Sequence, residues 1–468
     1  MKNLAAYFLS TFIAASVLGA DAPVADLPDL NLDRPDGIRL TLEDCVRTAI
    51  REATSVIKAQ NAYEITGTAL LQGYAQFLPN LTGSVSTNFN NGTVYYTTAT
   101  PTLVSGSGQT AAYSLSADLN LFNGLSDITN LKSALLKKDA ADLTLFRAKQ
   151  AIALDITQSF LNVLLDDRLV EIARKNLQES QAHENLLNEQ TRVGSKNLAD
   201  LFRQQAQTST DESLLLNSEN KKRTDQITLL QKLRADVTKS YHFVDFAVAS
   251  EDVDKRYGNE NDLLALGLAN RADLKASDET AQASHWDARN QWGVYLPRLD
   301  LIGTLSSGGG YLYNQTVAGV NVVPPTQTPA FSQWGNQVEG AVGIVLSWTI
   351  FDRFVNRLAV EKADVTELNA KIDAQDFRNQ VRADVRLAYS NYKTAAQQLV
   401  SSKKGLAAAL KAYEVIEGRY EVGAANFLDL VTAQAVLLQS ESARVLALTN
   451  FKLQGKTMEF ALGSINVQ

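Results

Sequence analysis

The most regular pattern of apolar residues lies in the last quarter of the chain. There, apolar side chains alternate at spacings of four and three residues, which is the 3.5-residue period of a left-handed coiled-coil seam. The seam positions are Val381, Val385, Ala388, Tyr392, Ala395, Leu399, Ser402, Leu406, Ala409, Tyr413, Ile416 and Tyr420. The corresponding series earlier in the chain is interrupted by Asp166 and Glu184, so we expect a more polar seam there.

Proline and glycine are missing from two long stretches. Prolines are absent from residue 102 to 296 and after residue 329; Gly194 is the only glycine between residues 125 and 257, and none lies between 344 and 404. Because proline breaks helices and interior glycine weakens them, residues 125–190 and 354–419 are predicted to form very long helices. At ~1.5 Å per residue, each would extend roughly 100 Å, too far for one compact globule.

Two Gly-, Ser- and Thr-rich regions show period-two alternation instead. Mainly apolar residues occupy the odd positions of 81–89, 113–121 and 299–305 and the even positions of 338–350, with polar residues between most of them. Strands with one apolar and one polar face suit a transmembrane barrel, while a half-buried hairpin packed on helices is the alternative. The segments 90–110 and 307–335 are then expected to be exposed loops.

The chain is also duplicated. At a constant offset of 229 residues, Asp155 matches Asp384, Val193-Gly194 matches Val422-Gly423, and Asp200-Leu201 matches Asp429-Leu430. Upstream, Leu78-Pro79 pairs with Leu296-Pro297, and both prolines are predicted to start strands. Each repeat therefore consists of a helix, a Leu-Pro step, a variable strand region, a long helix, a glycine turn and a return helix.

These features divide the chain into five parts. Residues 1–20 resemble a secretory signal, with Lys2 followed by an apolar run and small residues; a buried N-terminal helix is the alternative. An extended segment is expected over 21–40. The first repeat covers 41–240, with a hairpin at about 80–122 and a helical tip near 191–201. A connector at 241–260 precedes the second repeat, 261–468, with a hairpin at about 299–351 and a tip near 420–430.

Four strands cannot close a barrel alone. An open strand edge in lipid leaves backbone groups without hydrogen bonds, at a cost of several kcal/mol each. No stretch beyond the N-terminal segment offers the ~18 apolar residues of a spanning helix, so strands would have to cross the membrane. The barrel must then be shared between chains, with eight strands from two copies or twelve from three.

With these features, the chain resembles the TolC family of bacterial outer-membrane efflux and secretion channels. The resemblance rests on the repeat, on Pro79 and Pro297, and on the paired turns at 192–201 and 420–430. It implies a mainly α fold with a transmembrane β part, in which long antiparallel helical hairpins form a periplasmic tunnel. Four strands per chain would contribute to a twelve-stranded barrel in a homotrimer.

The resemblance also implies function, location and partners. The protein would be a passive conduit of a tripartite efflux or type I secretion system, exporting small molecules or polypeptides. It would lie in the bacterial outer membrane, in contact with its lipid, with a large periplasmic part. Its partners would be a periplasmic adaptor (membrane fusion) protein and an inner-membrane pump of the RND, ABC or MFS type.

The duplicated turns are the predicted tips of the helical hairpins. Gly194 and Gly423 can adopt positive φ at a helix end, and Asn197 and Asn426 can cap the return helices. A plain turn role is the alternative for each glycine. By resemblance, the tips would dock the adaptor through these four residues and their neighbours Val193, Leu201, Val422 and Leu430.

By resemblance, Asp429 would belong to a carboxylate ring at the periplasmic entrance, and Tyr420 and Asp200 to contacts that close it. Three carboxylates near an axis would attract cations. The chain departs from the family pattern at Thr432, where a second aspartate is expected, and at Ala425, where an arginine is expected. Both departures remove charge, and a solvated helix-end role is the alternative for all three candidates.

Composition excludes other classes of function. The chain has 44 Lys+Arg and 51 Asp+Glu, a net charge of −7 that disfavours nucleic acid as partner. The single cysteine, Cys45, and three scattered histidines predict neither a metal site nor another cofactor. Gly455-Lys456-Thr457 lacks the glycine that a phosphate loop requires at Asn450, so an enzyme is not expected. A structural or adhesive coiled-coil protein of the cell envelope remains the alternative, although it leaves the strand hairpins and duplicated tips unexplained.

Overall fold

The structure is a computed structural model that describes residues 38–97, 101–239, 241–244, 257–322, 328–335 and 338–466. The predicted signal segment 1–20 lies outside the described residues. The same is true of most of the extended segment 21–40 and of the middle of the connector 241–260.

The first repeat starts with a short strand and two helices and continues into a strand hairpin and a helical hairpin. Its described elements are β1 (Ile38–Leu40), α1 (Leu42–Glu52), α2 (Thr54–Ala75), β2 (Asn80–Thr97), β3 (Pro101–Asn123), α3 (Ser126–Arg192), α4 (Leu198–Lys232) and β4 (Tyr241–Phe243).

The second repeat has the same order of two helices, strands and a helical hairpin, without counterparts of β1 and β4 among its described residues. Its described elements are α5 (Glu260–Asn270), α6 (Ala272–Trp292), β5 (Arg298–Val317), β6 (Val320–Val322), β7 (Val338–Ser347), α7 (Val355–Glu421) and α8 (Phe427–Ala461). The long helices α3 and α7 both contain 67 residues, and the return helices α4 and α8 both contain 35. The predicted mainly α fold with an internal repeat is therefore confirmed. None of the described helices is long and apolar enough to cross a membrane.

The two helical hairpins differ in the polarity of their seams. In α7, most of the predicted seam is buried, and Ala409 and Tyr413 pack against Leu430 and Leu437 of α8. Between α3 and α4, by contrast, the corresponding layer contains buried polar groups. Ser180 donates a hydrogen bond to the Asp211 carboxylate, and Gln204 donates to the Ser180 carbonyl at 3.0 Å. The predicted polar character of the first seam is confirmed.

A separate apolar core packs the middle of α3 against the end of α4. Leu40, Cys45, Ile156, Phe160 and Leu229 pack together and join β1, α1, α3 and α4. Helix α1 begins at a capping box, in which the side chain of Thr41 and that of Asp44 each accept a hydrogen bond from the other residue's backbone N–H. Strand β1 pairs in parallel with β4, so the start and the end of the first repeat lie side by side.

The main sheet has the order β2–β3–β5–β7 with antiparallel neighbours, and β6 pairs with the end of β5. Large and small apolar residues alternate across it: Leu115 and Leu305 lie opposite each other and between Gly83 and Gly340. This face is exposed within the chain, with Val342 80% accessible. The opposite face carries polar residues in register, namely Ser84, Ser114, Ser306 and Glu339.

The loops between the strands are shorter than the sequence indicated. Strand β2 continues to Thr97 and β3 starts at Pro101, so the interpretation of 90–110 as a loop is wrong. Similarly, β5 runs to Val317, into the predicted loop 307–335. Gly, Ser and Asn have a low propensity for strands. They are held in these strands because their backbone groups pair continuously with the adjacent strand. The predicted strand 338–350 ends at Ser347, and Trp348 instead donates from Nε1 to the Tyr295 carbonyl at 3.1 Å.

Candidate functional site at the hairpin tips

The two hairpin tips, residues 191–201 and 420–430, have matching backbone geometry. Gly194 has φ +79° and Gly423 has φ +75°, and each follows the last residues of a long helix. Their N–H groups donate back to the helix, to the Thr191 carbonyl at 3.0 Å and the Tyr420 carbonyl at 3.1 Å. A Cβ at either glycine would meet no atom within 4 Å, so the positive φ, rather than close packing, requires glycine here.

The two predicted asparagine caps are confirmed. The Asn197 Oδ1 accepts from the Ala199 N–H at 3.0 Å, and the Asn426 Oδ1 accepts from the Asp429 N–H at 2.9 Å. Each bond satisfies one of the amides that a helix start leaves without an intrahelical partner. The turns and the starts of α4 and α8 are therefore held in a defined geometry.

The apolar residues of the tips divide into exposed and buried groups. Val193 and Val422 are 73% and 79% exposed, whereas Leu201 and Leu430 are 6% and 2% exposed. Leu201 packs with Leu187 of α3, and Leu430 with Tyr413 of α7. The valines thus offer a surface, and the leucines fill the interior of each tip.

Tyr420 connects the two tips. It lies beside Phe427 in the apolar cluster that also contains Leu187 and Leu201 from the first hairpin. The Nζ of Lys196, from the first turn, lies 4.3 Å from the centroid of the Tyr420 ring. The ring therefore makes both an apolar and a cation–π contact across the gap between the hairpins.

The electrostatic surroundings keep the Tyr420 phenol neutral. Burial, and then the negative charge of Asp200, raise the pKa of this phenol above its usual value. The Tyr420 hydroxyl is buried and has no hydrogen-bond partner among the described residues. Asp200 itself forms an ion pair with Arg203, with 3.5 Å between its Oδ1 and the arginine Nη1. The structure thus brings the predicted residues Tyr420 and Asp200 together.

Asp429 is exposed in the first turn of α8, away from the buried leucine beside it. The hydroxyl of Thr432 donates to the Leu428 carbonyl at 2.7 Å, so its polar group is bonded within its own helix. Arg419 donates from Nη2 to the Ala424 carbonyl at 3.3 Å. The second turn therefore has a positive charge beside Ala425, although the arginine expected at that position is missing.

Lys196 and Arg419 were not predicted as site residues from the sequence. Both are basic residues within four positions of a turn glycine, which is the signal that could have identified them. Pro79 and Pro297, the predicted strand starts, directly precede Asn80 of β2 and Arg298 of β5.

Known proteins share this architecture. The family model described as outer membrane efflux protein matches residues 263–464, which is nearly all of the second repeat. The outer membrane protein TolC of Escherichia coli (strain K12) is 22% identical over 363 residues, which cover 75% of this chain and 70% of TolC. Because 75% of the chain is more than the second repeat contains, the similarity to TolC includes part of the first repeat.

Solved channels have the same fold. The crystal structure of VceC from Vibrio cholerae superposes with a TM-score of 0.73 at 16% identity and covers 90% of this chain and 96% of its own. CmeC from Campylobacter jejuni gives a TM-score of 0.75 at 16% identity, with 90% and 85% covered. The second half of the chain thus matches the outer membrane efflux protein family, and the chain has the fold of these channels.

The family match and the similarity to TolC together define the class of the protein. It is an outer-membrane channel of a tripartite efflux system, with a β-barrel in the membrane and an α-helical tunnel in the periplasm. TolC-family channels form trimers and are passive conduits rather than enzymes, as predicted. The alternative of an adhesive coiled-coil protein is not supported, because it accounts for neither the shared family model nor the shared channel fold.

Proposed function

We propose that this TolC-family channel exports small molecules or polypeptides through a passage whose periplasmic entrance is built from the two hairpin tips. The supporting observation is the position of Tyr420, whose ring bridges the tips through Lys196 and the Leu187–Leu201–Phe427 cluster. A bridge at the far end of two 67-residue helices can hold the passage closed, and its loss would let the tips separate.

The exposed parts of the tips are suited to docking a periplasmic adaptor of the membrane fusion type. Val193 and Val422 present apolar side chains on turns fixed by Gly194, Gly423 and the asparagine caps. Leu201 and Leu430 act indirectly, because they are buried and hold the turns on the helices. The adaptor would connect the channel to an inner-membrane pump of the RND, ABC or MFS type.

Asp429 is proposed to line the entrance. In a trimer, three copies of this exposed carboxylate near the axis would concentrate cations and repel anions. The negative field would be moderated by Arg419 and by the loss of charge at Thr432. The same carboxylates would bind a divalent cation that enters from the periplasmic side and would thereby block conduction.

Planar-bilayer conductance of the purified trimer tests this proposal. The wild type should conduct and be blocked by a divalent cation added on the periplasmic side, and Asp429→Ala should require several-fold more cation for half-block. Asp376→Ala is the control, since Asp376 is an exposed carboxylate of α7 at a distance from the tip. Unchanged block in Asp429→Ala would remove this residue from the entrance, and a trimer that inserts without conducting would contradict the channel function.

A further inference from the structure

Residues 328–335, which we call the strap, fold back from the β5–β7 connection onto the sheet. Trp334 donates from Nε1 to the Ala111 carbonyl at 3.2 Å, and its own carbonyl accepts from the Ser307 hydroxyl at 2.7 Å. The Gln333 side chain pairs with Gly310 like a neighbouring strand: its Nε2 donates to the Gly310 carbonyl at 2.7 Å and its Oε1 accepts from the Gly310 N–H. The strap is thus a docked segment.

The strap lies on the apolar face of the sheet. A Cβ on Gly309 would come within 2.1 Å of the Ala330 carbonyl oxygen, and Gly309 alternates in phase with Leu305 along β5. The rings of Trp334 and Tyr113 meet edge to face at 5.1 Å, and Phe331 lies 5.2 Å from Trp334. Since the apolar face of a transmembrane barrel faces lipid, the strap lies on the outside of the barrel.

These aromatic residues mark the outer edge of the membrane. From Tyr113 to Phe122, strand β3 advances roughly 30 Å at about 3.3 Å per residue. With a strand tilt of about 40°, this corresponds to roughly 23 Å of depth, close to the ~25 Å apolar band of such barrels. At the Phe122 end of the strand, Trp348 donates a hydrogen bond to the Tyr295 carbonyl. The long helix α3 begins a few residues later. The strap therefore lies at the outer leaflet, opposite the periplasmic tunnel.

Directly beside the strap is a cavity of about 950 Å³. Two of its side chains are held in place: Gln333 is paired with Gly310, and Gln109 donates to the Thr87 hydroxyl at 3.0 Å and accepts from the Tyr313 hydroxyl at 3.1 Å. The residues that line it combine aromatic rings with amide and hydroxyl groups, including Phe89, Asn90, Gln109, Tyr311, Thr328 and Gln333. Ligand sites commonly combine such ring surfaces with a few fixed polar groups.

The cavity and its surroundings carry no charge. The chain has no Asp, Glu, Lys, Arg or His from Ile65 to Ala117 or from Leu301 to Val338. Phosphate groups are bound by Arg, Lys or the N-terminus of an α-helix, and the described residues that line the cavity provide none of these. Hydroxyl groups of a neutral sugar, by contrast, can bond to amides, which both donate and accept, while a sugar ring packs on Phe89 or Tyr311. The location of the cavity identifies the origin of the sugar. The cavity opens at the outer leaflet, where the lipid carries an oligosaccharide.

We propose that this cavity binds a neutral, phosphate-free oligosaccharide segment of the outer-leaflet glycolipid. The inference depends on the outer-membrane location and on the outward orientation of the apolar face, and it does not depend on the proposed entrance. Bound glycolipid would hold the strap and the extended β2–β3 hairpin against the membrane surface.

Isothermal titration of the purified trimer tests the proposal. The probe is the phosphate-free oligosaccharide released by mild acid from the glycolipid of the producing bacterium. Wild-type protein should bind it, and Phe89→Ala and Gln109→Ala should each weaken binding at least five-fold. Phe89 is 70% exposed, so its truncation should not disturb the fold. Asn88→Ala is the matched control, because Asn88 lies next to Phe89 but on the opposite face of β2.

Three outcomes would overturn the proposal. These are no binding by the wild type, tighter binding of the phosphorylated headgroup than of the neutral oligosaccharide, and loss of binding in Asn88→Ala but not in Phe89→Ala. Single-channel conductance of each variant separates this site from the channel function. Conduction should be the same in Phe89→Ala, in Gln109→Ala and in the wild type, whatever the titration shows.

Discussion

Leu125 and Phe354 adopt the same left-handed backbone conformation, with φ of 68° and 66°, at equivalent positions of the two repeats. Each residue directly precedes a 67-residue helix. The residues before them, Gly124 and Arg353, are also left-handed, with φ of 71° and 59°. For a non-glycine residue this region costs roughly 1–2 kcal/mol. Both repeats therefore accept backbone strain to turn the chain sharply from a membrane strand into a tunnel helix.

Gly124 and Arg353, which occupy equivalent positions of the two repeats, should respond in opposite ways to substitution. A Cβ on Gly124 would lie 2.3 Å from the Gly293 carbonyl oxygen, so Gly124→Ala combines a clash with positive-φ strain and should destabilise the protein by several kcal/mol. Arg353→Gly relieves strain at an exposed position and should be neutral or stabilising by up to about 1 kcal/mol. The thermal midpoint of the purified trimer measures both effects.

Gly258→Ala provides a reference for this pair, because Gly258 has nothing within 4 Å of a hypothetical Cβ and its φ is not in the left-handed region. It should shift the midpoint little. A midpoint for Gly124→Ala equal to that of the wild type would show that the strand-to-helix turn can relax. A marked loss of stability in Arg353→Gly would mean that the arginine side chain, rather than the backbone, determines this turn.

The long helices and the repeat could be predicted because their signals are local or are repeated in the sequence. The absence of Pro and Gly and the 3.5-residue seam need no tertiary information, and helices α3 and α7 begin at Ser126 and Val355, within two residues of the predicted starts. The continuation of β2 through Asn90 and Gly92 could not be predicted. It depends on backbone pairing with β3, which overrides the low strand propensity of these residues.

The tip site could be predicted only in part. Gly194, Gly423 and the asparagine caps are specified by local backbone geometry, which a turn sequence reveals. The contact of Lys196 with Tyr420 joins residues more than two hundred positions apart. It depends on how the two hairpins pack, which no local pattern encodes. The burial of Leu201 and Leu430 likewise follows from this packing.

A buried ion cluster fixes the start of α6 against α3 and α7. Arg271, with 5% of its side chain exposed, bonds to Asp273 at 2.7 Å and to Asp384 at 2.9 Å. Asp273 also accepts from Arg147, which donates to the Phe460 carbonyl at the end of α8. Arg271→Met should destabilise the protein by about 1.5–3 kcal/mol, because the half-buried Asp384 loses its ion-pair partner and Asp273 keeps only Arg147. Thermal or chemical unfolding of the trimer measures this loss.

Arg378→Met is the matched control for this cluster. Arg378 also connects α7 to an α6 aspartate, Asp278, at 3.0 Å, but the two side chains are far more exposed than Arg271, at 46% and 38%. Exposed pairs contribute about 0–1 kcal/mol, so its loss should be small. Similar losses in the two variants would refute the idea that burial makes the Arg271 cluster important.

Asp166 should make the stability of the first hairpin depend on pH. Burial, followed by the neighbouring Asp225, raises the pKa of this carboxyl to about 6, although Lys221 opposes the shift. An unfolded aspartate titrates near pH 3.9. Ionisation of Asp166 therefore costs nothing below pH ~4, and its cost to folding grows until pH ~6 and stays constant above. Asp166→Asn should raise the thermal midpoint by a few degrees at pH 8 and leave it nearly unchanged at pH 4.

The adjacent Asp167 provides the control, because it is 57% exposed and pairs with Lys222. Asp167→Asn should change the midpoint little, with no gain on going from pH 4 to pH 8. If Asp166→Asn gave the same change at both pH values, the side-chain shape rather than the ionisation of Asp166 would be responsible. The equivalent residue of the second repeat is Ala395, which is buried, so that hairpin should lack this pH dependence.

The turn at Gly423 should be required for adaptor docking but not for trimer formation. Gly423→Leu places a side chain at φ +75°, which costs roughly 1–2 kcal/mol, so the turn must rearrange and displace the exposed Val422. We expect photocrosslinking from position 193 to the cognate adaptor to fall several-fold, while the trimer stays intact on size-exclusion chromatography. Gly418→Leu is the control, since Gly418 lies within α7 with open space around its Cβ position. Undiminished crosslinking in Gly423→Leu would show that the adaptor does not recognise this turn, and dissociation of its trimer would place the turn in a subunit interface instead.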